Sequence, residues 1–290
     1  MTAFRQYQKG RDYPRTAILV ELHKNMERDH LYVYNGESIG EEDFVSALKS
    51  LGVKNGDTLF VHSAIDKFGK VAPPYDPKVL CGSLVRALKK SVGPKGTLAM
   101  PTFTYSYCET RVFDMDKSPS EVGALSEFFR KQRGVIRSQH PIFSIAASGT
   151  GARALVKSGT DAFGDDSIFG NVRRQNALLV FLGSTFKSCT LGHHITQMHG
   201  VPYRSIKTFS GVIKHGRRSR KVDATYFVRP LDGTIDIDLS RLENRLAEEG
   251  LLKKVHLGAS TIECARAQDI YNVGMEMLDS DIYALAKRLK

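Results

Sequence analysis

The chain has 290 residues, of which 41% are hydrophobic and 25% are charged, close to the average for globular proteins. This composition excludes disordered and fibrous proteins, and no apolar run approaches the roughly 18 residues that a membrane span requires. Residues 1–15 lack the apolar core of a secretory signal, and the cysteines (Cys81, Cys108, Cys189, Cys264) show no metal-binding spacing. We therefore expect a cytoplasmic protein without disulfides and without a metal site.

The net charge is strongly positive. Lys and Arg number 42 against 31 Asp and Glu, which gives +11 and a pI near 9.4. Such a field attracts anions and repels polycations. Nucleic acid, an anionic membrane surface and phosphorylated small molecules are all open as partners, as is a charge that serves only solubility.

The chain begins with a polar N-terminal arm, residues 1–36, followed by a single domain over residues 37–290. Ser38 as N-cap, with Glu41 three residues later, predicts a helix that ends at 51–52. Alternating strands and helices follow, separated by Gly, Pro and Asn turns. They are the strand Thr58–His62, the helix Pro77–Ser91, the strand Thr97–Thr104, the helix Gly123–Lys131 and the strands Ser144–Ala147 and Ala177–Leu182.

The pattern changes after Lys207. The segments Val212–Lys214 and Val222–Val228 flank a turn-like stretch, as in a hairpin, and amphipathic helices are expected around Leu242–Leu246 and Ile282–Leu289. The whole pattern predicts an α/β fold with a mixed, largely parallel central sheet flanked by helices, and a C-terminal lobe that contains the hairpin.

Polar residues end the first predicted strand, at His62 and Ser63. Ligands of open α/β sheets bind at the carboxyl ends of strands, so both are candidate site residues. The alternative is a purely structural role for Ser63, as the cap of the next segment.

A second group of polar residues lies in the loop Arg137–Ser144, just before an apolar strand. Guanidinium and hydroxyl donors in such a loop could bind phosphate or carbonyl oxygens. A loop held together by its own hydrogen bonds is the alternative.

Three histidines fall within seven residues, at His193, His194 and His199. On a helix, neighbouring side chains diverge by about 100°, so His193 and His194 cannot readily share one zinc ion. A general base is the better functional interpretation, because a neutral imidazole accepts a proton near pH 7.

Taken in order, several motifs resemble the aminoglycoside 3-N-acetyltransferase family, densely over residues 38–211. The matching stretches are Leu51-Gly52-Val53, Gly56-Asp57, Val61-His62-Ser63, Gly96 to Tyr105, Phe113-Asp114, Ser118-Pro119-Ser120 with Gly123, Arg137-Ser138-x-His140-Pro141, Ser167 with Phe169, Leu182-Gly183, Thr190-x-x-His193 and Val201-Pro202-Tyr203-Arg204.

The resemblance implies acetyl transfer from acetyl-CoA to a sugar amine by direct attack, without a covalent enzyme intermediate. It implies His193 as the base and Ser63 near the thioester carbonyl. We add Asp114 as a further catalytic candidate, and we expect no metal. The implied cofactor-binding residues are His62, Ser63, Thr102, Phe103, Arg137, Ser138, His140 and Ser144. The implied substrate-binding residues are Tyr105, Asp114, Thr190, His194, Tyr203 and Arg204.

The chain departs from the family pattern at one position. The family usually has His-x-x-Glu, with the carboxylate orienting the imidazole, whereas here the fourth position is Thr196. A hydroxyl cannot stabilise imidazolium as a carboxylate does. Another carboxylate, first of all Asp114, could orient His193; alternatively, the enzyme is differently tuned, or acetyl transfer has been lost.

The charge bears on the acceptor, because a chain of +11 disfavours polycationic aminoglycosides at long range. The basic stretch 214–221 could meet phosphates, although it could also be a solvated turn. We therefore expect an anionic, nucleotide-linked amino sugar of surface-polysaccharide biosynthesis as acceptor, with antibiotic resistance as the alternative. Binding of coenzyme A without catalysis is the alternative of another class; the stretch 214–221 lacks aromatic residues, so we expect no nucleic-acid partner. The oligomeric state is open, with a homodimer as the default expectation.

Overall fold

The computed structural model of the chain describes residues 30–73, 75–230 and 232–289. Its helices are α1 Glu41–Ser50, α2 Pro77–Val92, α3 Tyr107–Thr110, α4 Ala124–Arg130, α5 Ala152–Val156, α6 Ile168–Arg174, α7 Leu191–His199, α8 Ser240–Glu248 and α9 Ala267–Ser280. Its strands are β1 His30–Tyr34, β2 Glu37–Gly40, β3 Thr58–Ser63, β4 Lys70–Val71, β5 Thr97–Pro101, β6 Val112–Asp114, β7 Ile136–Arg137, β8 Ile145–Gly149, β9 Leu178–Leu182, β10 Ser205–His215, β11 Arg218–Val228, β12 Ile235–Ile237, β13 Lys253–Leu257, β14 Ser260–Arg266 and β15 Ala286–Arg288.

A seven-stranded mixed sheet forms the centre of the fold, in the order β13-β14-β9-β3-β5-β8-β7. Strand β3 pairs in parallel with β5 on one side and with β9 on the other, while every other neighbouring pair is antiparallel. The predicted α/β class with a mixed sheet flanked by helices is confirmed, and the parallel pairing is confined to its three central strands.

Successive side chains of the central strands point to opposite faces of the sheet, and the sheet divides the core into two halves. Leu59 and Val61 of β3 face one half, which α1, α2 and α4 cover. Phe60 faces the other half, which α6, α7, α8 and α9 cover. Successive strand residues point to opposite faces, so His62 is directed to the same side as Phe60 and α7. No helix within the described ranges is long and apolar enough to cross a membrane.

The predicted hairpin is present and longer than expected. Strands β10 and β11 pair along their full length, from Ser205 opposite Val228 to His215 opposite Arg218. Strand β6 adds to β10 in parallel. The hairpin therefore begins immediately after Arg204 and ends immediately before Arg229, which brings these two residues close together in space.

The predicted start of the first helix at Ser38 is wrong. Asn35 and Gly36 both have positive φ, as a type I′ hairpin turn requires, and Ser38 lies in β2, which pairs with β1. Helix α1 starts after Gly40, whose amide donates to the Asp43 carboxylate at 2.8 Å. The proposed boundary at residue 36 thus falls inside a hairpin. Residues 1–29 of the predicted arm lie outside the described residues.

The predicted helix over Ile282–Leu289 is also wrong. The chain is extended at Asp281, and β15 pairs with β12. Helix α9 lies just before it and was not predicted. Its buried residues Ile270, Val273, Gly274 and Leu278 have helical spacing, but the intervening polar residues hide the apolar stripe.

We predict that Gly149→Ala lowers the free energy of unfolding by about 2–4 kcal/mol. Gly149 ends β8 with φ +112°, and an added Cβ would lie 2.2 Å from the carbonyl oxygen of Gly96 in the neighbouring strand segment. Urea denaturation measures the change. Gly134→Ala is the matched control, because Gly134 also has positive φ but has open space around its Cα. Equal costs in the two variants would show that the close approach contributes nothing.

Candidate active site

A cleft of about 260 Å³ opens at the carboxyl ends of β3, β5 and β9. This is the edge at which ligands of open α/β sheets bind. Its lining combines the ends of these strands, the loops that follow them, and the first turn of α7. The lining residues are His62, Ser63, Pro101, Phe103, Tyr105, Val122, Ser184, Lys187, Ser188, Cys189, Thr190, His193 and Ile237.

His62 is held at the floor of the cleft by aromatic packing. Its ring stacks on Phe181 of β9, with centroids 5.5 Å apart, and meets Phe60 edge-on. Burial lowers the pKa of His62 to about 4, so the ring is neutral at physiological pH. Its Nε2 is buried and has no hydrogen-bond partner among the described residues. A polar atom in this state is suited to bind a polar group of a ligand.

His193 enters the cleft from the N-terminal half of α7. Its ring packs on Phe163, with centroids 5.0 Å apart, and its Nδ1 lies 2.9 Å from Nη1 of Arg204. Burial, and then the positive charges of Arg204 and Arg229, lower the pKa of His193 to about 3. A neutral imidazole therefore faces the cleft at every pH at which the protein would normally be assayed.

Arg204 is itself buried, at 9% exposure, where the chain enters β10. Its Nη1 donates both to His193 and to the carbonyl oxygen of Phe227, at 3.3 Å, on the partner strand β11. Burial lowers the pKa of Arg204, but guanidinium remains protonated in proteins. The hairpin therefore fixes a cation against the imidazole. Sequence reasoning placed Arg204 among the substrate-binding residues.

Neither Thr196 nor Asp114 forms a hydrogen bond with the His193 ring. The hydroxyl of Thr196 donates to the carbonyl oxygen of His193, one turn back along α7, at 3.0 Å. The carboxylate of Asp114 accepts from the amides of Asp116 and Lys117, each at 3.0 Å, and so closes a turn. Within the described ranges, no carboxylate is hydrogen-bonded to His193, and Arg204 occupies that position.

Most of the predicted cofactor-binding loop is used within the protein. The Arg137 guanidinium donates to the carbonyl oxygens of Thr102 and Ser118, at 2.7 and 2.6 Å, and stacks over Phe113. Its remaining partners are the hydroxyls of Thr102, Thr104 and Ser144 and the carbonyl oxygen of Met115. We call this set the Arg137 cluster. Because its N–H groups already have protein acceptors, Arg137 holds the loop to the sheet and does not line the cleft.

The neighbours of Arg137 in that loop are structural as well. The hydroxyl of Ser138 accepts from the amide of Ile145, and that of Ser144 donates to the carbonyl oxygen of Thr102. His140 is buried, and its Nδ1 accepts from the amides of Ile142 and Phe143. Thr102, Ser138, His140 and Ser144 are all absent from the cleft lining.

Two of the predicted substrate-binding residues also face away from the cleft. His194 is fully buried and its Nδ1 donates to the carbonyl oxygen of Phe163 at 2.7 Å, on a different side of α7 from His193. Tyr203 stacks on Tyr283, with centroids 5.1 Å apart. Of that predicted group, Tyr105 and Thr190 do line the cleft.

The segment 184–189 after β9 supplies lining residues that the sequence analysis missed. The hydroxyl of Ser184 is buried without a hydrogen-bond partner among the described residues, and Lys187 and Ser188 lie beside it. Burial raises the pKa of Cys189 to about 12, so its thiol is protonated and unsuited to act as a nucleophile. The strand-end rule that identified His62 and Ser63 could have identified Ser184, because β9 ends beside β3.

Comparison with known proteins identifies the chain. The family model of aminoglycoside 3-N-acetyltransferase matches residues 60–279. The chain belongs to this family. Over the described ranges, no group of three His, Cys, Asp or Glu side chains is arranged to hold a metal ion.

Several relatives cover most of the chain. Aminoglycoside N(3)-acetyltransferase VII of Streptomyces paromomycinus is 24% identical over 266 residues, which cover 81% of this chain and 90% of that enzyme. Aminoglycoside N(3)-acetyltransferase IV of Salmonella sp is 28% identical over 244 residues, covering 82% and 87%.

Solved structures agree in fold. The aminoglycoside acetyltransferase AAC(3)-IVa, as apoenzyme, has a TM-score of 0.70 at 25% identity and covers 84% of this chain and 90% of its own. The binary complex of AAC-IIIb with coenzyme A has a TM-score of 0.72 at 21% identity, covering 83% and 96%. The N-acetyltransferase family predicted from the motifs is thereby confirmed.

We predict that Arg137→Gln lowers the free energy of unfolding by about 2–4 kcal/mol, because it leaves the buried acceptors of the Arg137 cluster unpaired. Calorimetric titration with coenzyme A should show unchanged affinity for the folded protein. Weakened binding with normal stability would instead place Arg137 at the ligand, as the sequence analysis expected.

We also predict that stability falls as the pH is lowered from about 7.5 to 5. Burial lowers the pKa of His62, His140 and His194 to about 4 and that of His193 to about 3. In the unfolded chain the pKa of histidine is about 6.5, so below this pH the unfolded chain binds protons that the folded chain does not. At pH 5 this lowers the free energy of unfolding by about 1–2 kcal/mol per histidine. Urea denaturation at the two pH values measures the difference.

His140→Asn is the control for this pH dependence. The side-chain oxygen of Asn can accept the hydrogen bonds that the backbone amides of Ile142 and Phe143 donate to His140 Nδ1. This variant should reduce the difference in the free energy of unfolding between pH 7.5 and 5 by the contribution of one histidine. Stability that is unchanged between the two pH values would contradict the buried, neutral state of these rings.

Proposed function

We propose that the cleft transfers the acetyl group of acetyl-CoA to an amino group of an aminoglycoside-type amino sugar. The observation that carries the proposal is the convergence of His193, His62 and Ser63 in one cleft at the central strand ends, in a chain of this family. One helix and one strand end thus present imidazole and hydroxyl groups to the same space.

Coenzyme A is supported as the donor by three features. A structural relative of similar fold is known in a binary complex with coenzyme A. Lys187 lines the cleft, and the net charge of +11 favours an anionic ligand. The unpartnered atoms Ser184 Oγ and His62 Nε2 are suited to hydrogen-bond the polar groups at the thioester end.

The reaction needs no covalent enzyme intermediate. The lone pair of the neutral amine attacks the thioester carbonyl carbon, and a C–N bond forms as the carbonyl oxygen takes up negative charge. The C–S bond then breaks, the sulfur leaves as the thiol of coenzyme A, and the amine loses one proton. The cleft contributes by holding the two reactants together and by hydrogen-bonding the oxyanion.

The acceptor class follows from the relatives, whose names state that they are aminoglycoside acetyltransferases. This support reverses the preference drawn from net charge alone. One observation keeps a nucleotide-linked amino sugar as a second candidate. Among the described residues that line the cleft, Lys187 alone is charged, and the charges that act on His193 are those of Arg204 and Arg229. A polycation is expected to prefer carboxylates in these positions.

A thiol-release assay with acetyl-CoA decides between the acceptors. We expect turnover with aminoglycosides and little or none with nucleotide-linked amino sugars, under matched concentrations and ionic strength. Turnover confined to the nucleotide-linked sugars would reverse the choice. Absence of thiol release with every amine, together with normal binding of coenzyme A, would indicate a binding protein without catalysis.

We predict that His193→Ala lowers kcat by about 10²–10⁴, the usual effect of removing an acid–base or hydrogen-bonding group from the reacting atoms. His199→Ala is the control in the same helix, because His199 contacts Asp279 and does not line the cleft. It should retain nearly full turnover. Comparable activity in both variants would remove His193 from the mechanism.

A further inference from the structure

Arg204 takes the place at His193 that the family pattern gives to a carboxylate. A carboxylate accepts a hydrogen bond from Nδ1–H, which keeps the proton on Nδ1 and leaves the lone pair of Nε2 free to act as a base. Guanidinium can only donate, so at 2.9 Å it requires the lone pair of His193 Nδ1 as its acceptor. The proton of the neutral ring must then be on Nε2. His193 Nε2 has no protein partner among the described residues, and His193 lines the cleft.

We propose that Arg204 is a positioning residue that holds His193 in the Nε2–H tautomer, and that His193 donates a hydrogen bond to the thioester carbonyl oxygen. In this state Nε2 cannot accept the proton of the attacking amine. The assignment rests on the proposed acetyl transfer, but the tautomer itself is a property of the free protein and can be measured without turnover.

Burial and two nearby cations disfavour the protonated form of His193. Arg204 and Arg229 come from the two ends of the hairpin, with Tyr226 of β11 beside Arg204. His62, Lys187 and Cys189 line the same cleft as His193. The carboxylate of Asp236, which acts on Arg204, lies 3.5 Å from Arg229 and compensates it.

The chemical step balances without a base on the protein. The amine enters neutral, its lone pair forms the C–N bond, and the electrons of the carbonyl double bond move to the oxygen, which accepts the Nε2–H hydrogen bond. The oxyanion collapses, the C–S bond breaks, and the leaving sulfur takes the proton that the amine nitrogen loses, directly or through water. The products are the amide and the thiol of coenzyme A, and His193 ends in its starting state.

Nitrogen NMR of the ¹⁵N-histidine-labelled full chain tests the tautomer. The signals of His193 are assigned by their absence from His193→Gln. At pH 7 we expect the chemical shift of an unprotonated nitrogen at Nδ1 and of a protonated nitrogen at Nε2, with no titration between pH 5 and 8. A protonated Nδ1, or a ring that titrates near neutrality, would overturn the proposal.

Variants of Arg204 test the cause. Arg204→Glu should move the proton to Nδ1 and bring the His193 titration towards neutral pH, and Arg204→Met should raise the pKa without fixing either tautomer. Arg229→Gln is the matched control, because Arg229 adds charge but makes no hydrogen bond with the ring, and it should leave the Nε2–H tautomer in place. An unchanged tautomer in folded Arg204→Met would show that another contact fixes it.

Kinetics separate donation from base catalysis. The amide nitrogen of Gln can donate from the position of Nε2 but cannot accept a proton, so His193→Gln should retain at least about tenfold more kcat than His193→Ala. Equal losses in the two variants would overturn the donor role. For the wild type, the pH profile of kcat/KM should rise with deprotonation of the acceptor amine and show no limb from His193. If no amine supports turnover, the proposed function fails, whereas the tautomer measured by NMR still stands or falls on its own.

Discussion

The parallel pairing of β3 with both β5 and β9 is the constraint on which the cleft depends. It brings three carboxyl strand ends to one edge of the sheet, so that residues distant in sequence, from His62 to His193, surround a single space. Register then selects the side chains. A shift of β3 by one residue would turn His62 away from the cleft, into the half of the core that α1 and α2 cover.

Buried polar groups hold the loops above this edge in place. The Arg137 cluster ties the end of β5, the loop after β6 and the start of β8 to one guanidinium. His140 satisfies two amides of its own loop, and His194 joins α7 to the carbonyl of Phe163. Each of these groups is costly if unpaired, so together they define one arrangement of the loops. The cleft residues are thereby kept free for a ligand.

Much of the fold could be predicted from the sequence, because buried strands bounded by Gly and Asn turns leave a clear pattern. The central strands, α2 and α4 were predicted within a few residues, and the hairpin was placed correctly but predicted too short. Short strands such as β4 and β7, each of two residues, leave no periodicity to detect. Ser38 satisfied the rules for a helix cap, but the Asn35-Gly36 turn placed it in a strand instead.

The site was predicted less completely, for a physical reason. A polar side chain next to a strand end has the same sequence signature whether its partner is a ligand or a distant backbone carbonyl. Arg137 finds its acceptors 19 and 35 residues away, and Arg204 meets His193 across 11 residues. Such pairings depend on the tertiary fold. His62, Ser63, Phe103, Tyr105, Thr190 and His193, which the sequence analysis named, all line the cleft, whereas Ser184 and Lys187 join the lining because β9 ends beside β3.

The replacement of a carboxylate by a guanidinium at His193 affects more than the imidazole. A carboxylate would both charge the ring during the reaction and attract a cationic acceptor to it, whereas Arg204 opposes both effects. The acceptor amine must lose its proton before it can attack, and a positive site favours that neutral form, because an ammonium group beside Arg204 and Arg229 is disfavoured. The same charges that prevent His193 from acting as a base therefore assist the amine in becoming a nucleophile. Thr196 in place of the family carboxylate accounts for this arrangement. Because α7 offers no carboxylate at that position to pair with Arg204, the guanidinium contacts the His193 ring instead.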